Sequence, residues 1–288
     1  LKAAFVTDRV DLLQPVTPYK AQERVVWKKQ SPQVAFQKAV QFGSESFIPN
    51  MARKPWGDIR VRRAVMLAMD KDDLLELLYP DQAVRGGFII PGPWATTTEQ
   101  LLKIPGFRKP TAEDMAEAKR LLAEAGFPKG FTTTLLLRSL KEYFDMSIAT
   151  QDQLAKVGIT ANLEAVDSGI FQTRRAALDY DAMSYATVSV EMGEPDIMLS
   201  RFLSGSPGNT FGYSNPKFDE LYRKQSQTMD IAERKKLILE VERLWMEEIP
   251  YVPWYWKEYV AVVSPRVKDF LLLGLYQGHS IEDVWLTQ

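Results

Sequence analysis

DIRVRRAVMLAMD, residues 58–70, is the stretch that decides how this chain folds. Val61, Ala64, Val65, Ala68 and Met69 recur at i, i+3, i+4, i+7 and i+8, while Arg60, Arg62 and Arg63 fall on the opposite arc, so the spacing predicts one amphipathic helix. Asp58, after Pro55-Trp56-Gly57, is placed to accept from the free amides of the first turn. Asp70 ends the pattern and can cap a second helix, with Asp73 at capping-box spacing ahead of Leu74, Leu75, Leu77 and Leu78. Local chemistry alone therefore predicts a helix pair.

Further elements follow from the same logic. Thr111 and Asp114 offer a capping box, Met115, Ala118, Leu122 and Ala125 make an apolar stripe, and Gly126 supplies a left-handed stop before Pro128. Residues 131–137, rich in Thr and Leu, read as a strand, 142–157 as a helix ended by Gly158, and 159–166 as a second strand. A right-handed crossover would make such a pair parallel. Asp167 or Ser168 can cap a short helix reaching Leu178, and 180–188 reads as a strand leading into an acid-rich loop. Helices are expected at 216–228 and 232–247, the second opened by Asp230 and Glu233, then strands at 251–256 and 259–263. Residues 1–48, broken by Pro15, Pro18 and Pro32, read as short extended segments with a β-like run at 33–42 and no core of their own. The alternation from Asn50 onward predicts an α/β lobe.

Composition removes several function classes. At 288 residues the chain should bury roughly 75% of the surface it would expose unfolded, and its length suggests about two domains. Its 36 basic and 37 acidic residues leave no positive field to hold nucleic acid or an anionic membrane. It has no apolar run long enough to span a bilayer. With no cysteine, disulfides, thiolate chemistry and Cys-ligated metals are excluded. His279 is the single histidine, read as a surface residue beside Gly278 and Ser280, so a Ser-His-Asp arrangement would rest on it alone. Phosphate-loop, dinucleotide, nucleophile-elbow and zinc-protease strings are absent. No cofactor and no enzymatic activity are expected.

The wording of the helix pair resembles a family. From Asn50, through Pro55-Trp56, to Asp70 it follows the N-x-x-x-x-P-[FW]-x-D-x-R-V-R signature of large extracytoplasmic solute-binding proteins of family 5, the oligopeptide, dipeptide and nickel-binding type. Later landmarks keep the family's order: AKRLLAEAG at 118–126, QLAKVGI at 153–159, Asn209 ahead of Tyr213-Ser214-Asn215-Pro216, Asp219, ERKKLILEVER at 233–243 and EIPYVPW at 248–254. The resemblance implies a lobe of a bilobal periplasmic-binding-protein-like fold, a mixed sheet flanked by helices, here lacking the N-terminal part. It divides the chain into a remnant of the base lobe at 1–48, a ligand-binding lobe at 49–255 and a return segment at 256–288. It also implies capture of an oligopeptide, dipeptide, opine or sugar-like solute by a monomeric protein in the periplasm or on the outer face of the cell membrane, for delivery to ABC permease subunits.

Site candidates come from both readings. In peptide-binding members an acid in the loop after the 180–188 strand meets the ligand's α-amino group, and Glu191 holds the nearest equivalent place, with Glu194 beside it. The Trp-Asp pair of those members is replaced here by Val188-Ser189-Val190-Glu191, which leaves the ligand class open. Trp94 in the stiff loop Pro91-Gly92-Pro93-Trp94, Asn209 and Phe211 in a Gly/Ser/Pro-rich loop, and Tyr185 on the preceding strand are the other expected ligand contacts. Arg174 or Arg175 could offer a fork to a carboxylate. Trp254, Tyr255 and Trp256 read as a strand with one core face and one wet face, outside the site. Two alternatives remain open: a glycoside or ester hydrolase using Glu191, Glu194 and Asp196, and a receptor or chaperone of the same fold.

Overall fold

The computed structural model describes residues 2–13, 21–186, 194–274, 279–280 and 282–287. Two helices, α1 (Lys2–Val6) and α2 (Ala21–Gln30), and a short strand, β1 (Leu12–Leu13), precede a long strand, β2 (Ala35–Pro49). The expectation of extended segments over 1–48 is thus corrected. Phe5, Leu13, Trp27 and Val34 also have a core of their own, closed by Val262 from far along the chain, which no local pattern could reveal.

The decisive stretch forms α3 (Ile59–Ala68) and α4 (Lys71–Leu78). Asp58 accepts from the Arg60 amide at 2.9 Å, and Asp70 accepts from the Asp72 and Asp73 amides at 3.1 Å. The second cap is completed differently from a capping box. Gln153 accepts the Asp70 amide at 3.1 Å and donates to Asp73 at 2.8 Å, bridging the two residues from another helix.

After β3 (Ala83–Val84) and α5 (Thr98–Leu101) come α6 (Ala112–Glu124), β4 (Phe131–Arg138), α7 (Lys141–Ala155), β5 (Ile159–Val166), α8 (Ser168–Ala176) and β6 (Ala182–Ala186). The Thr111–Asp114 capping box forms as expected, and Leu121 joins Ala118 and Leu122 in the buried face of α6. β4 and β5 pair in parallel, from Phe131 opposite Ile159 to Arg138 opposite Val166. Their amino ends approach so closely that a Cβ on Gly130 would stand 1.8 Å from the Gly158 carbonyl oxygen, and Gly130 has φ +78°.

The remainder is α9 (Pro195–Ser200), α10 (Pro216–Gln227), α11 (Ile231–Glu248) and a second long strand, β7 (Val252–Val263). Short strands β8 (Val267–Lys268) and β11 (Trp285–Leu286) pair, as do β9 (Leu271–Leu272) and β10 (His279–Ser280). The main sheet has the order β1-β7-β2-β6-β4-β5, with β3 added to β7. β2 is antiparallel to both β6 and β7, whereas β6, β4 and β5 are parallel, so the sheet is mixed. The β2–β7 ladder shifts register between Val40 and Ser44, which loosens the two longest strands at mid-length.

Three sequence expectations are corrected by packing. Val252–Val263 forms one strand where two were expected. Trp254, Tyr255 and Trp256 are all fully buried, because the Tyr255 ring meets Tyr79 at 5.2 Å on one face while the Trp256 indole donates to the Gly87 carbonyl at 3.3 Å on the other. Arg62, on the arc opposite the apolar stripe, is not at the lobe surface but 4% exposed, and its guanidinium donates to the carbonyls of Trp56, Glu248 and Ile249 at 2.7–3.0 Å. Burial pushes its pKa down to about 10, with Glu248 opposing.

Candidate functional site

β4, β5 and β6 end at Arg138, Val166 and Ala186, and the carboxyl ends of parallel strands are where open α/β sheets leave a crevice for ligands. α7 and α8 cover opposite faces of this sheet. Thr150 of α7 meets Ser184 at 3.1 Å, while Phe171 of α8 meets Tyr185, the next residue along β6, at a ring distance of 4.8 Å. Tyr143, from the first turn of α7, reaches over the sheet edge and stacks on Tyr185 with centroids 5.6 Å apart and planes 24° apart. The Arg138 guanidinium lies 5.2 Å from the Tyr143 ring and that of Arg175 5.4 Å from the Tyr185 ring. Arg174 is committed elsewhere, pairing with Glu164 at 2.7 Å and Asp179 at 3.2 Å.

Glu45 of β2 lies opposite Ala186, the last residue of β6, in the ladder. It is 2% exposed and pairs with Lys257 at 2.6 Å, while its Oε2 and the neighbouring Tyr255 hydroxyl have no hydrogen-bond partner among the described residues. Sequence reasoning passed over Arg138, Tyr143, Glu45 and Lys257. Only the charged residue inside the strand-like Ser44-Glu45-Ser46 run carried a signal for any of them.

Of the expected ligand contacts, Trp94 and Glu194 come together through Arg234. The Arg234 guanidinium lies 5.1 Å from the Trp94 ring and grips Glu194 through both terminal nitrogens at 2.8 and 2.5 Å. Burial works to raise the Glu194 pKa, but Arg234 and the Asp196 amide outweigh it and hold the carboxyl below its usual range. Asp196 accepts from Tyr222 at 3.2 Å and Gln225 at 2.6 Å. A hollow of about 400 Å³ opens beside these acids. A glycosidase acid needs a raised pKa, whereas that of Glu194 is held down.

Tyr185 belongs to a different cluster from Trp94 and Glu194. Asn209 and Phe211 serve the loop itself. Asn209 donates to the carbonyls of Phe202, Leu203 and Tyr213 and accepts from the Phe211 and Tyr213 amides, which fills its hydrogen-bonding capacity. Phe211 is 1% exposed and stacks on Phe202 at 4.2 Å, so its ring is core. Glu191 lies outside the described residues.

Glu242 of α11 holds the backbone two residues beyond Trp94. It is fully buried, its Oε2 accepts the Thr96 amide at 2.7 Å, and Oε1 meets no donor in hydrogen-bonding geometry among the described residues. Burial pushes its pKa up, opposed by the Thr96 and Ile89 amides. A carboxyl whose folded pKa is raised contributes stability below its unfolded value and loses it as pH rises through the folded one. Thermal midpoints of wild type should therefore fall relative to Glu242→Gln as pH rises from the ordinary carboxylate range through the raised value. Parallel pH profiles for the two proteins would refute the assignment.

A mixed sheet covered by helices on both faces, with side chains converging at its carboxyl edge, is the architecture of one lobe of a periplasmic binding protein. HbpA2 from Haemophilus parasuis superposes with a TM-score of 0.81 at 20% identity, over 99% of this chain and 55% of that one. DppA from Helicobacter pylori, solved with the peptide STSA, superposes with a TM-score of 0.72 at 23% identity, over 99% and 54%. Residues 1–210 match the model of the bacterial extracellular solute-binding proteins, family 5 Middle, and the chain belongs to that family. The glutathione-binding protein GsiB of Escherichia coli (strain K12) is 28% identical over 247 residues, which cover 81% of this chain and 46% of GsiB. The chain thus spans about half the length of the relatives it matches.

Proposed function

We propose that this chain forms the ligand-binding lobe and hinge strands of an extracytoplasmic solute-binding protein that captures a peptide or similar small polar solute and delivers it to the permease of an ABC importer. It binds as a monomer and does not catalyse. In this reading residues 49–255 are the lobe, while 1–48 and 256–288 belong to the base. β2 and β7 cross both boundaries as a paired ribbon, and the register shift between Val40 and Ser44 gives that ribbon a place to bend. The carrying observation is the gathering of Arg138, Tyr143 and Tyr185 at the carboxyl edge of the parallel strands. GsiB, described as binding glutathione, and DppA, solved with a peptide, support a ligand of peptide size. Trp94, Glu194 and Glu191 remain proposed contacts of the same cleft. Asn209 and Phe211 shape the loop beside it.

Closure can be driven only by contacts made in the closed form. Calorimetry on the complete gene product with glutathione and a panel of dipeptides and tripeptides is the test. At least one should bind without being cleaved, and failure of the whole panel, or turnover of any member, would overturn the proposal. For whichever member binds, residues 1–288 alone should show an affinity about a hundredfold lower or worse, a loss of roughly 3 kcal/mol, because half of the enclosing surface is then absent. Equal affinities would refute a two-lobe site.

A further inference from the structure

We propose that Met66 is a site of reversible oxidation, at which a peroxide-class oxidant converts the thioether to a sulfoxide whose new oxygen accepts a hydrogen bond from the buried Lys71 amine. The site lies at the joint between α3 and α4 and uses none of the residues placed in the solute cleft.

A buried amine short of acceptors carries the inference. Lys71, the first residue of α4, is 2% exposed, and its Nζ finds no oxygen acceptor among the described residues. It donates to Met66 Sδ at 3.5 Å and lies 4.4 Å from the centre of the Phe107 ring. The acids beside it in the chain are engaged elsewhere: Asp70 with the α4 cap amides and with Lys109 at 3.7 Å, Asp72 with Arg85, and Asp73 with Gln153 and Lys156. A thioether is a weak acceptor, and the start of a helix is the wrong end for a positive charge. Burial and Arg85 accordingly push the Lys71 pKa well down. Oxidation would put a polar oxygen on the same sulfur. With Sδ and Nζ already 3.5 Å apart, an oxygen bonded to that sulfur and bent toward the amine stands within hydrogen-bond reach, about 2.8 Å.

Access and restraint agree. Met66 lines a hollow of about 290 Å³ with Ile104, Phe107 and Met246, which is ample for a molecule the size of peroxide. The 104–107 turn closes over the side chain at Gly106, φ +87°, where a Cβ would stand 2.8 Å from Met66 Cγ, so the thioether has little room to swing away from the amine. In the step itself a sulfur lone pair attacks one peroxide oxygen. The S–O bond forms as the O–O bond breaks, and the departing oxygen takes the attacked oxygen's proton and leaves as water. The sulfur is oxidised and the peroxide reduced, and a methionine sulfoxide reductase reverses the change.

The test is hydrogen peroxide treatment of the complete gene product, followed site by site with peptide mass spectrometry. Met229, 94% exposed, should react first and serves as the internal reference. Met66 should then be oxidised about tenfold faster or more than Met69, Met146, Met183 and Met198, which are also buried. Thermal melting supplies the second readout, with Met66→Leu carried through the same treatment to subtract the other methionines. Oxidation at Met66 should leave the midpoint of wild type unchanged or raise it. In Lys71→Met, where the sulfoxide has lost its donor, the midpoint should fall by about 4 °C or more. Met66 reacting no faster than the other buried methionines, a wild-type midpoint that falls as Met66 is oxidised, or a Lys71→Met midpoint that holds would each overturn the site. The first two are read in wild type whether or not the variant folds.

Discussion

Replacing Arg62 with Met should destabilise the protein by about 3 kcal/mol or more, because three buried carbonyls would lose their donor and each unmatched group costs roughly 1–3 kcal/mol. The guanidinium links the turn at Trp56 to the last carbonyls of α11, where Glu248 precedes Ile249 in a left-handed conformation with φ 51°. A cation at this position also complements the negative end of the helix. Arg62→Lys should recover only part of the loss, since a single ammonium cannot span carbonyls on both sides of the fork. Urea unfolding of the three proteins is the measurement. A Met variant within about 1 kcal/mol of wild type would mean that the carbonyls find other donors.

Asn209 is expected to matter almost as much, and through stability. Its amide ties the 205–213 loop into a closed turn that sets Phe211 on Phe202 and brings the Tyr213 hydroxyl to Glu248. The loop is held from outside as well, since Met51 donates to the Phe211 carbonyl at 2.9 Å and a Cβ on Gly212 would stand 2.8 Å from the Ala52 nitrogen. Asn209→Ala should cost about 2–4 kcal/mol by leaving buried amides and carbonyls unmatched. Asn209→Asp should be no better, because it sets a carboxylate oxygen against carbonyls that need a donor. Stability and ligand affinity should both be measured. A variant of wild-type stability that no longer binds solute would return Asn209 to direct ligand contact.

These two residues show why a family signature can be legible while its purpose is not. Asn50, Trp56, Asp58, Arg62 and Asp70 all act inside the lobe. Asn50 donates to the Leu178 and Tyr180 carbonyls at 2.8 and 2.9 Å, Trp56 is fully buried, and Asp58 and Asp70 cap helices. The signature is recognisable because caps and apolar stripes work over a few residues, and it describes folding rather than binding. The α3–α4 helix pair, the α6 capping box and the β4-α7-β5 crossover were legible for that reason. The core of Phe5, Trp27 and Val262 was not, because its members lie more than two hundred residues apart.

What the amino-acid order by itself determined is local: where helices start and stop, which strands follow them, and the family to which these landmarks belong. Tertiary structure alone decided that Arg62 is buried, that Trp254, Tyr255 and Trp256 are covered on both sides, and that Trp94 meets Glu194 through Arg234. It also brought Arg138, Tyr143, Ser168 and Tyr185 from two strands and two helices to one edge of the sheet. Capping and periodicity are short-range interactions between neighbours in the chain, whereas a binding surface depends on which distant segments the packed sheet brings to one edge.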